Sequence, residues 1–312
     1  MTEWPSWICP IHGRQLQSNG VLTCPHGHEF PVRDGIPRFA ESRYSEAFGA
    51  QWLRYRRTQL DSFTGTRTSA ERARRCLGET LWQGLYGLEV LEAGCGAGRF
   101  TEVLLERGAR VTSVDLSAAV DANRENFPPN GRHRIAQADI LSVPVRPRSF
   151  ALVFCLGVVQ HTPNPEETVA ALYEQVRPGG WLVFDHYSRR LQWWLSTGPL
   201  FRAYLKRLPP EQGLQSTERL VRALLPLHRR AGRAAGLLRR VSPVQSYYDM
   251  LPLSEEAQRD WALLDTHDAL RDWHKHFRTP GQIRQLLERL ELEEIHVAEG
   301  GNGVEARGRR PA

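Results

Sequence analysis

Residues 90–100 read Val90-Leu91-Glu92-Ala93-Gly94-Cys95-Gly96-Ala97-Gly98-Arg99-Phe100, VLEAGCGAGRF. Three glycines at alternate positions follow directly on an apolar run. A strand that ends in such a loop lets its backbone come close to a nucleotide-like ligand, because glycine carries no Cβ and tolerates the turn. A dinucleotide site spaces its glycines G-x-G-x-x-G, the third admitting close helix packing beneath the pyrophosphate. Here the spacing is G-x-G-x-G, preceded by Glu92. The loop bends tightly without the pyrophosphate geometry, so its companions in the chain decide the ligand.

Outward from the loop, short apolar runs alternate with helical patterns. LEVLEAG reads as a strand, and Arg99 to Arg107 as a helix with Phe100, Val103 and Leu104 on one face. ARVTSVDLS is a second strand ending at an acid, followed by a helix from Ser117 to about Asn126. HRIAQAD is a third strand, and SFALVFCLG a fourth with the Val, Phe and Leu content of a strand buried on both faces. Glu166 to Val176 reads as a helix stopped by Pro178-Gly179-Gly180, and WLVFDHY as a fifth strand. Pro280 to Leu290 is a further helix, and LEEIHVAEGGNGVEARG a hairpin turning at Gly300 to Gly303. This alternation predicts an α/β fold with a doubly wound, mostly parallel sheet, the hairpin adding antiparallel strands at one edge.

The rest of the chain divides around that core. Residues 1–40 carry Cys, His, Pro and Gly turns; residues 41–84 read as a helical linker; residues 85–188 and 280–312 form the core. Residues 189–279 are helical, rich in Trp, Leu and Arg, and read as a lid over the ligand site. The hydrophobic fraction of 41% and aromatic fraction of 9% fit a folded globular protein. No apolar run approaches the roughly 20 residues needed to cross a bilayer, and no secretory signal opens the chain, so a cytoplasmic location is expected. The formal net charge is +6, but the basic residues are nearly all arginines spread along the chain. The dense block from Arg222 to Arg240 reads as an amphipathic helix pair with a solvated basic face, rather than a nucleic-acid or membrane patch. Five scattered cysteines do not make a disulfide framework.

Asp115 ends the second strand, where a carboxylate accepts ribose hydroxyls. Asp139, in QADIL after the third strand, is placed to accept from an adenine amino group, with Ile140 against the ring. Taken together, EAGCGAGRF, VDLS, QADIL, FALVFCLGVVQHTPNP and LYEQVRPGGWLVF resemble the class I S-adenosylmethionine-dependent methyltransferases over residues 85–187. The resemblance implies a seven-stranded Rossmann-like sheet that binds S-adenosyl-L-methionine. It implies that the backbone around Gly94 and Gly96 holds the methionine part, with Glu92 and Cys95 in the same loop. Asp115 would take the ribose, Leu116, Asp139 and Ile140 the adenine, and Leu156 the sulfonium end.

At the N-terminus, Cys9-x-x-His12 and Cys24-x-x-x-His28 form two knuckles a small hairpin apart. Two thiolates and two imidazoles make a sound tetrahedral zinc site, closed and structural, with His26 an alternative to His28. The trailing FPVRDGIPRF resembles the end of Trm112-like zinc ribbons, and the Cys/His pairing resembles the ribbon of bacterial ribosomal RNA guanine methyltransferases. His12 and His28 stand where the commoner pattern has cysteines.

Substrate chemistry is sought after the fourth strand. Enzymes that methylate base amino groups usually carry Asn or Asp, then Pro-Pro and an aromatic; this chain has Cys155-Leu156-Gly157-Val158. GVVQHTPNP resembles the corresponding segment of small-molecule methyltransferases, with Gln160 in place of a His. His161 is the first candidate base, and His186 and Tyr187, ending the fifth strand, are further candidates. Residues 48–65 and 263–277 resemble parts of a bacterial methyltransferase subgroup associated with natural-product or surface-polymer assembly. That likeness implies cofactor contacts from Gln51, Trp52 and Arg56, and a substrate pocket closed by His267, Asp268, His274 and His276. The expected activity is methyl transfer to an O, N or C nucleophile of a small molecule. The alternatives are a tRNA or rRNA substrate docked through ribbon and arginines, and a non-catalytic cofactor-binding module.

Overall fold

The computed structural model describes residues 4–18, 20–40, 54–189, 196–231, 235–248 and 250–312. Four short antiparallel strands come first: β1 (Gln17–Ser18), β2 (Val21–Thr23), β3 (Glu29–Arg33) and β4 (Ile36–Pro37). Their small core holds Leu16, Leu22 and Phe30 beside Cys9 and Cys24. This sheet is tied to the rest of the chain by Ile8 N donating to Pro144 O (3.0 Å), Phe39 N donating to Gln137 O (2.8 Å), and an Arg38–Asp121 ion pair.

A single helical turn, Asp61–Thr64, leads into α1 (Thr68–Gln83). The core then runs β5 (Glu89–Ala93), α2 (Arg99–Glu106), β6 (Arg110–Asp115), α3 (Ala119–Asn126), β7 (His133–Gln137), β8 (Phe150–Cys155), α4 (Pro165–Gln175) and β9 (Val176–His186). Four helices of the inserted segment follow: α5 (Gly198–Leu205), α6 (Pro210–Arg230), α7 (Ala235–Val241) and α8 (Glu255–Arg271). The chain returns through α9 (Pro280–Arg289), β10 (Glu293–Gly300) and β11 (Gly303–Arg309).

The seven core strands lie in the order β10-β11-β9-β8-β5-β6-β7. The five from β5 to β9 are parallel, and β11 and β10 add the antiparallel edge expected of the Gly-rich hairpin. All six residues of β8 are buried, because apolar layers cover both faces. Val169, Leu172, Ile283 and Leu287 cover one face; Ala73, Leu77, Val103 and Leu104 cover the other. Strand order reverses between β5 and β8, the switch point where an open α/β sheet leaves a crevice at its carboxyl ends.

Two local readings change. The fifth strand does not wait for Trp181: it starts at Val176 and runs through Pro178-Gly179-Gly180, irregular where it joins β8. Helix α4 ends at Gln175, because the following residue is already extended at φ −73°, ψ 124°. The basic block also does more than face solvent. Arg239 and Arg240, at the end of α7, belong to the wall of the cavity described next.

Candidate functional site

Above the switch point lies a cavity of about 720 Å³. The loop after β5 forms its floor. Gly94, Gly96 and Gly98 all have positive φ, at 77°, 51° and 101°. A Cβ on Gly94 would stand 2.3 Å from Val158, and one on Gly98 would stand 2.7 Å from the Phe127 ring. Backbone conformation and space thus both demand glycine.

Asp115 organises this loop from the end of β6. Its Oδ2 accepts from Gly96 N (2.9 Å), and Oδ1 from Ser117 N and Oγ (2.8 and 2.7 Å). Gln137 Nε2 donates to Leu116 O at 2.9 Å, fixing the residue beside it. Asp139 caps a short turn by accepting from Leu141 N with one oxygen. Gly94, Cys95, Gly96, Asp115, Leu116, Asp139, Ile140 and Leu156 all line the cavity.

Glu92 is different. It is buried beneath the loop and absent from the cavity wall; its Oε2 accepts from Thr101 Oγ1 (2.6 Å) and Ser113 Oγ (2.8 Å). Its role is to brace β5 against α2 and β6. Burial pushes its carboxyl up from 4.5 to about 7, against the pull of the two hydroxyls. The folded chain then keeps a proton that the unfolded chain has lost, so stability falls as pH rises between those values. The buried imidazoles of His186 and His267, brought down to about 4 and about 3, act in the opposite sense over the same range, so the Glu92 contribution is read as a difference. Glu92→Gln, which still offers an acceptor to both hydroxyls, should make the unfolding temperature rise more steeply with pH than in the unaltered chain; parallel profiles would mean that Glu92 does not titrate there.

Gln51 and Trp52 lie outside the described residues. Arg56 pairs with Glu125 at the surface (3.2 Å) and is not part of the wall. Its neighbour Gln59 is, with Nε2 donating to Asp265 Oδ1 at 2.9 Å.

The cavity wall also carries acid–base groups. His161 and Tyr187 line it, their rings edge to face with centroids 5.2 Å apart. Tyr187 is flanked by Phe277 and by Lys275 Nζ, 5.0 Å from its centroid. Burial, reinforced by Asp272, holds the Tyr187 phenol well above its ordinary value, so it stays protonated near neutral pH and serves as a hydroxyl, not a base. His186 does not reach the cavity. Successive side chains of a strand face opposite ways, so Tyr187 takes the cavity side and His186 the interior. Burial brings the His186 imidazole down to about 4, and its Nδ1 lies 3.0 Å from Tyr187 O.

In the second flanking segment, α8 turns Asp265, Asp268 and Ala269 toward the cavity, a spacing of three and four residues. His267 falls on the other side of the helix, and burial lowers its imidazole to about 3. His274 and His276 stack with centroids 6.2 Å apart, outside the wall. Of the four residues expected to close the pocket, Asp268 alone lines it.

Several groups on or behind the wall have no sequence signal. Arg72 comes from α1 and pairs with Asp185, whose Oδ1 accepts from Gly157 N at 2.6 Å. Arg99 Nε donates to Ser69 Oγ (3.0 Å), and burial, with Arg72 nearby, brings its guanidinium down to about 10. Asp272, fully buried just after α8, has Oδ2 3.0 Å from His161 Nδ1 and 2.8 Å from Lys275 Nζ, while Oδ1 accepts from Arg202. Gln160 is fully buried on the wall, and neither end of its amide has a protein partner.

Residues 91–184 match a family model described as a methyltransferase domain. This stretch of the chain is thus similar to methyltransferase domains. Two curated relatives are ubiquinone biosynthesis O-methyltransferases. That of Idiomarina loihiensis is 36% identical over 115 residues, 36% of this chain and 47% of the relative. That of Pseudomonas fluorescens is 33% identical over 110 residues, 34% and 47% respectively. The chain thus spans about half the length of these relatives. Among solved structures, an S-adenosylmethionine-dependent methyltransferase from Mesorhizobium loti is 16% identical, with 78% of this chain and 98% of that chain covered at a TM-score of 0.46. The match to the methyltransferase domain begins inside β5 and ends inside β9, so it takes in the glycine loop, Asp115, Asp139 and His161.

At the other end of the chain, Cys9, His12, Cys24 and His28 bring their donor atoms within 4.8 Å of one another. Both cysteine Sγ atoms lie 3.8 Å from His12 Nδ1, and His28 Nδ1 is buried without a protein partner. His26 stacks on His12 (4.4 Å between centroids) but is not in the donor set. Among the described residues, no helix is long and apolar enough to cross a membrane.

Proposed function

We propose that this chain is a methyltransferase transferring a methyl group from S-adenosyl-L-methionine to a hydroxyl oxygen of a small molecule. The observation that carries this is one cavity lined by the glycine loop, Asp115, Asp139 and His161. The two ubiquinone O-methyltransferase relatives support oxygen as the acceptor atom.

The residues present fit the cofactor. A Cβ at Gly94 would collide with Val158 and displace the loop, so its backbone stays bare. Asp115 Oδ2 spends one lone pair on Gly96 and keeps capacity for a ribose hydroxyl. Asp139 keeps an oxygen for the adenine amino group, Ile140 and Leu116 offer apolar surface to the ring, and Leu156 lines the sulfonium end. When bound, S-adenosyl-L-methionine supplies an electrophilic methyl group. The chain's contribution is positioning, exclusion of water by the helical segment over the cavity, and removal of the acceptor proton by His161. Tyr187 donates its hydroxyl hydrogen to the acceptor side without losing it.

Calorimetric titration with S-adenosyl-L-methionine, followed by assay of labelled methyl transfer to mono- and dihydroxyaromatic acceptors, tests this. Binding without transfer to any hydroxyl acceptor would favour the non-catalytic module. Salt-sensitive RNA binding with transfer to RNA would favour the nucleic-acid substrate.

We further propose that Cys9, His12, Cys24 and His28 hold a structural zinc ion in a Trm112-like ribbon. The donor set suits tetrahedral zinc, and a metal would give His28 Nδ1 its missing partner. A metal also supplies stability that the few apolar residues of this sheet do not. Elemental analysis should find about one zinc per chain. Cys9→Ser should lose it and lower the unfolding temperature; a zinc content near zero in the intact protein would refute the assignment.

A further inference from the structure

His161 is not held by its own loop alone. Its Nδ1 faces a carboxylate from a segment more than a hundred residues away, and that carboxylate is fixed from every side. Arg202 of α5 holds Asp272 Oδ1, Lys275 Nζ holds Oδ2 at 2.8 Å, and the side chain is fully buried. Lys275 is pinned in turn through Ala269 O at 3.0 Å. His276 N donates to Gln160 O at 3.0 Å, so the backbone after α8 is registered on the turn that carries His161. Asp272 itself is absent from the cavity wall, where His161 is present.

We propose that Asp272 is the positioning residue for His161. It accepts the Nδ1 hydrogen and so fixes the tautomer whose Nε2 is left as the proton acceptor. This rests on His161 being the base. A neutral imidazole carries one N–H, and a carboxylate can only accept; at 3.0 Å, an ion-pair distance rather than an aligned hydrogen bond, Asp272 favours the proton on the nitrogen that faces it. During transfer the acceptor hydroxyl gives its proton to Nε2, and the imidazolium so formed is balanced by the adjacent carboxylate. Lys275 and Arg202 hold the carboxyl in its ionised form before that proton arrives. They also prevent Asp272 from taking the proton itself. Asp268 on α8 and the Tyr187 phenol border the same wall.

The test is the tautomer itself. The full chain, labelled with nitrogen-15 in histidine, is examined by long-range proton–nitrogen correlation at about pH 8.5, roughly two units above the ordinary imidazole value. His161→Gln identifies the His161 signals by their disappearance. A charge-assisted hydrogen bond should favour the Nδ1–H form by about tenfold or more, and Asp272→Asn should bring the two forms to about equal populations. An Nε2–H ring in the unaltered protein would overturn the proposal, as would an unchanged tautomer in Asp272→Asn. Should Asp272→Asn fail to fold, having lost the carboxylate that Arg202 and Lys275 share, the spectrum of the unaltered protein decides by itself. The base assignment fails separately: it falls if His161→Gln retains full methyl transfer, whatever the tautomer is.

Discussion

Replacing His161 with alanine should lower kcat for methyl transfer by about 10²- to 10⁴-fold, the range over which a positioned general base acts. Cofactor affinity should stay within about threefold, because the groups assigned to the cofactor are the glycine loop, Asp115 and Asp139 and not His161. The size of the loss should depend on the acceptor. A phenol acidic enough to ionise in water needs the base least, so its rate should fall less than that of an ordinary phenol. Steady-state release of S-adenosylhomocysteine from both acceptors measures this. An equal, small decrease for the two would mean that His161 only fills space beside Tyr187.

Asp115→Ala should weaken S-adenosyl-L-methionine by about 100-fold or more, seen by calorimetry. Two effects combine. The ribose loses a charged acceptor, worth about 1.5–3 kcal/mol. The loop also loses its organiser, because Gly96 N and both Ser117 donors bond the same carboxylate. Asp115→Asn separates the two, since its amide oxygen still accepts from one side of the loop. An intermediate loss is expected there. If Asp115→Ala binds the cofactor as well as the unaltered chain, the ribose is held elsewhere.

The donor side of the cavity was legible in the sequence because its groups sit within a few residues of strand ends. Gly94, Asp115, Asp139 and Leu156 follow β5, β6, β7 and β8, and hydrophobic alternation locates those ends. Facing is harder to read than position. His186 and Tyr187 were equally plausible on paper; one residue of strand register sends the first inward and the second to the cavity. His267 missed the wall for the helical version of that reason. Arg72, Asp185 and Asp272 had no local pattern at all. Each takes its meaning from a partner far along the chain, at Asp185, Gly157 and His161, so only the folded topology brings them together. The Pro178-Gly179-Gly180 stretch misled in the other direction. Its turn-forming residues suggest a gap between helix and strand, yet β9 passes straight through them.

Where the inserted helices leave and rejoin the core, the chain closes on itself in a clasp. Ser188 bridges Arg278 in parallel, Arg278 N donates to Tyr187 O at 3.0 Å, and Arg189 N donates to Arg278 O at 3.1 Å. The Arg278 guanidinium then grips Glu166, in the first turn of α4, at 2.8 and 3.0 Å. The points where the chain leaves and rejoins the sheet are therefore neighbours, so the whole segment is a cassette with one socket. Exchanging it changes neither the strand order nor the spacing of the glycine loop, and the gap left behind is a turn's width. Any graft, however, has to bring its own carboxylate to His161, because Asp272 departs with the piece removed.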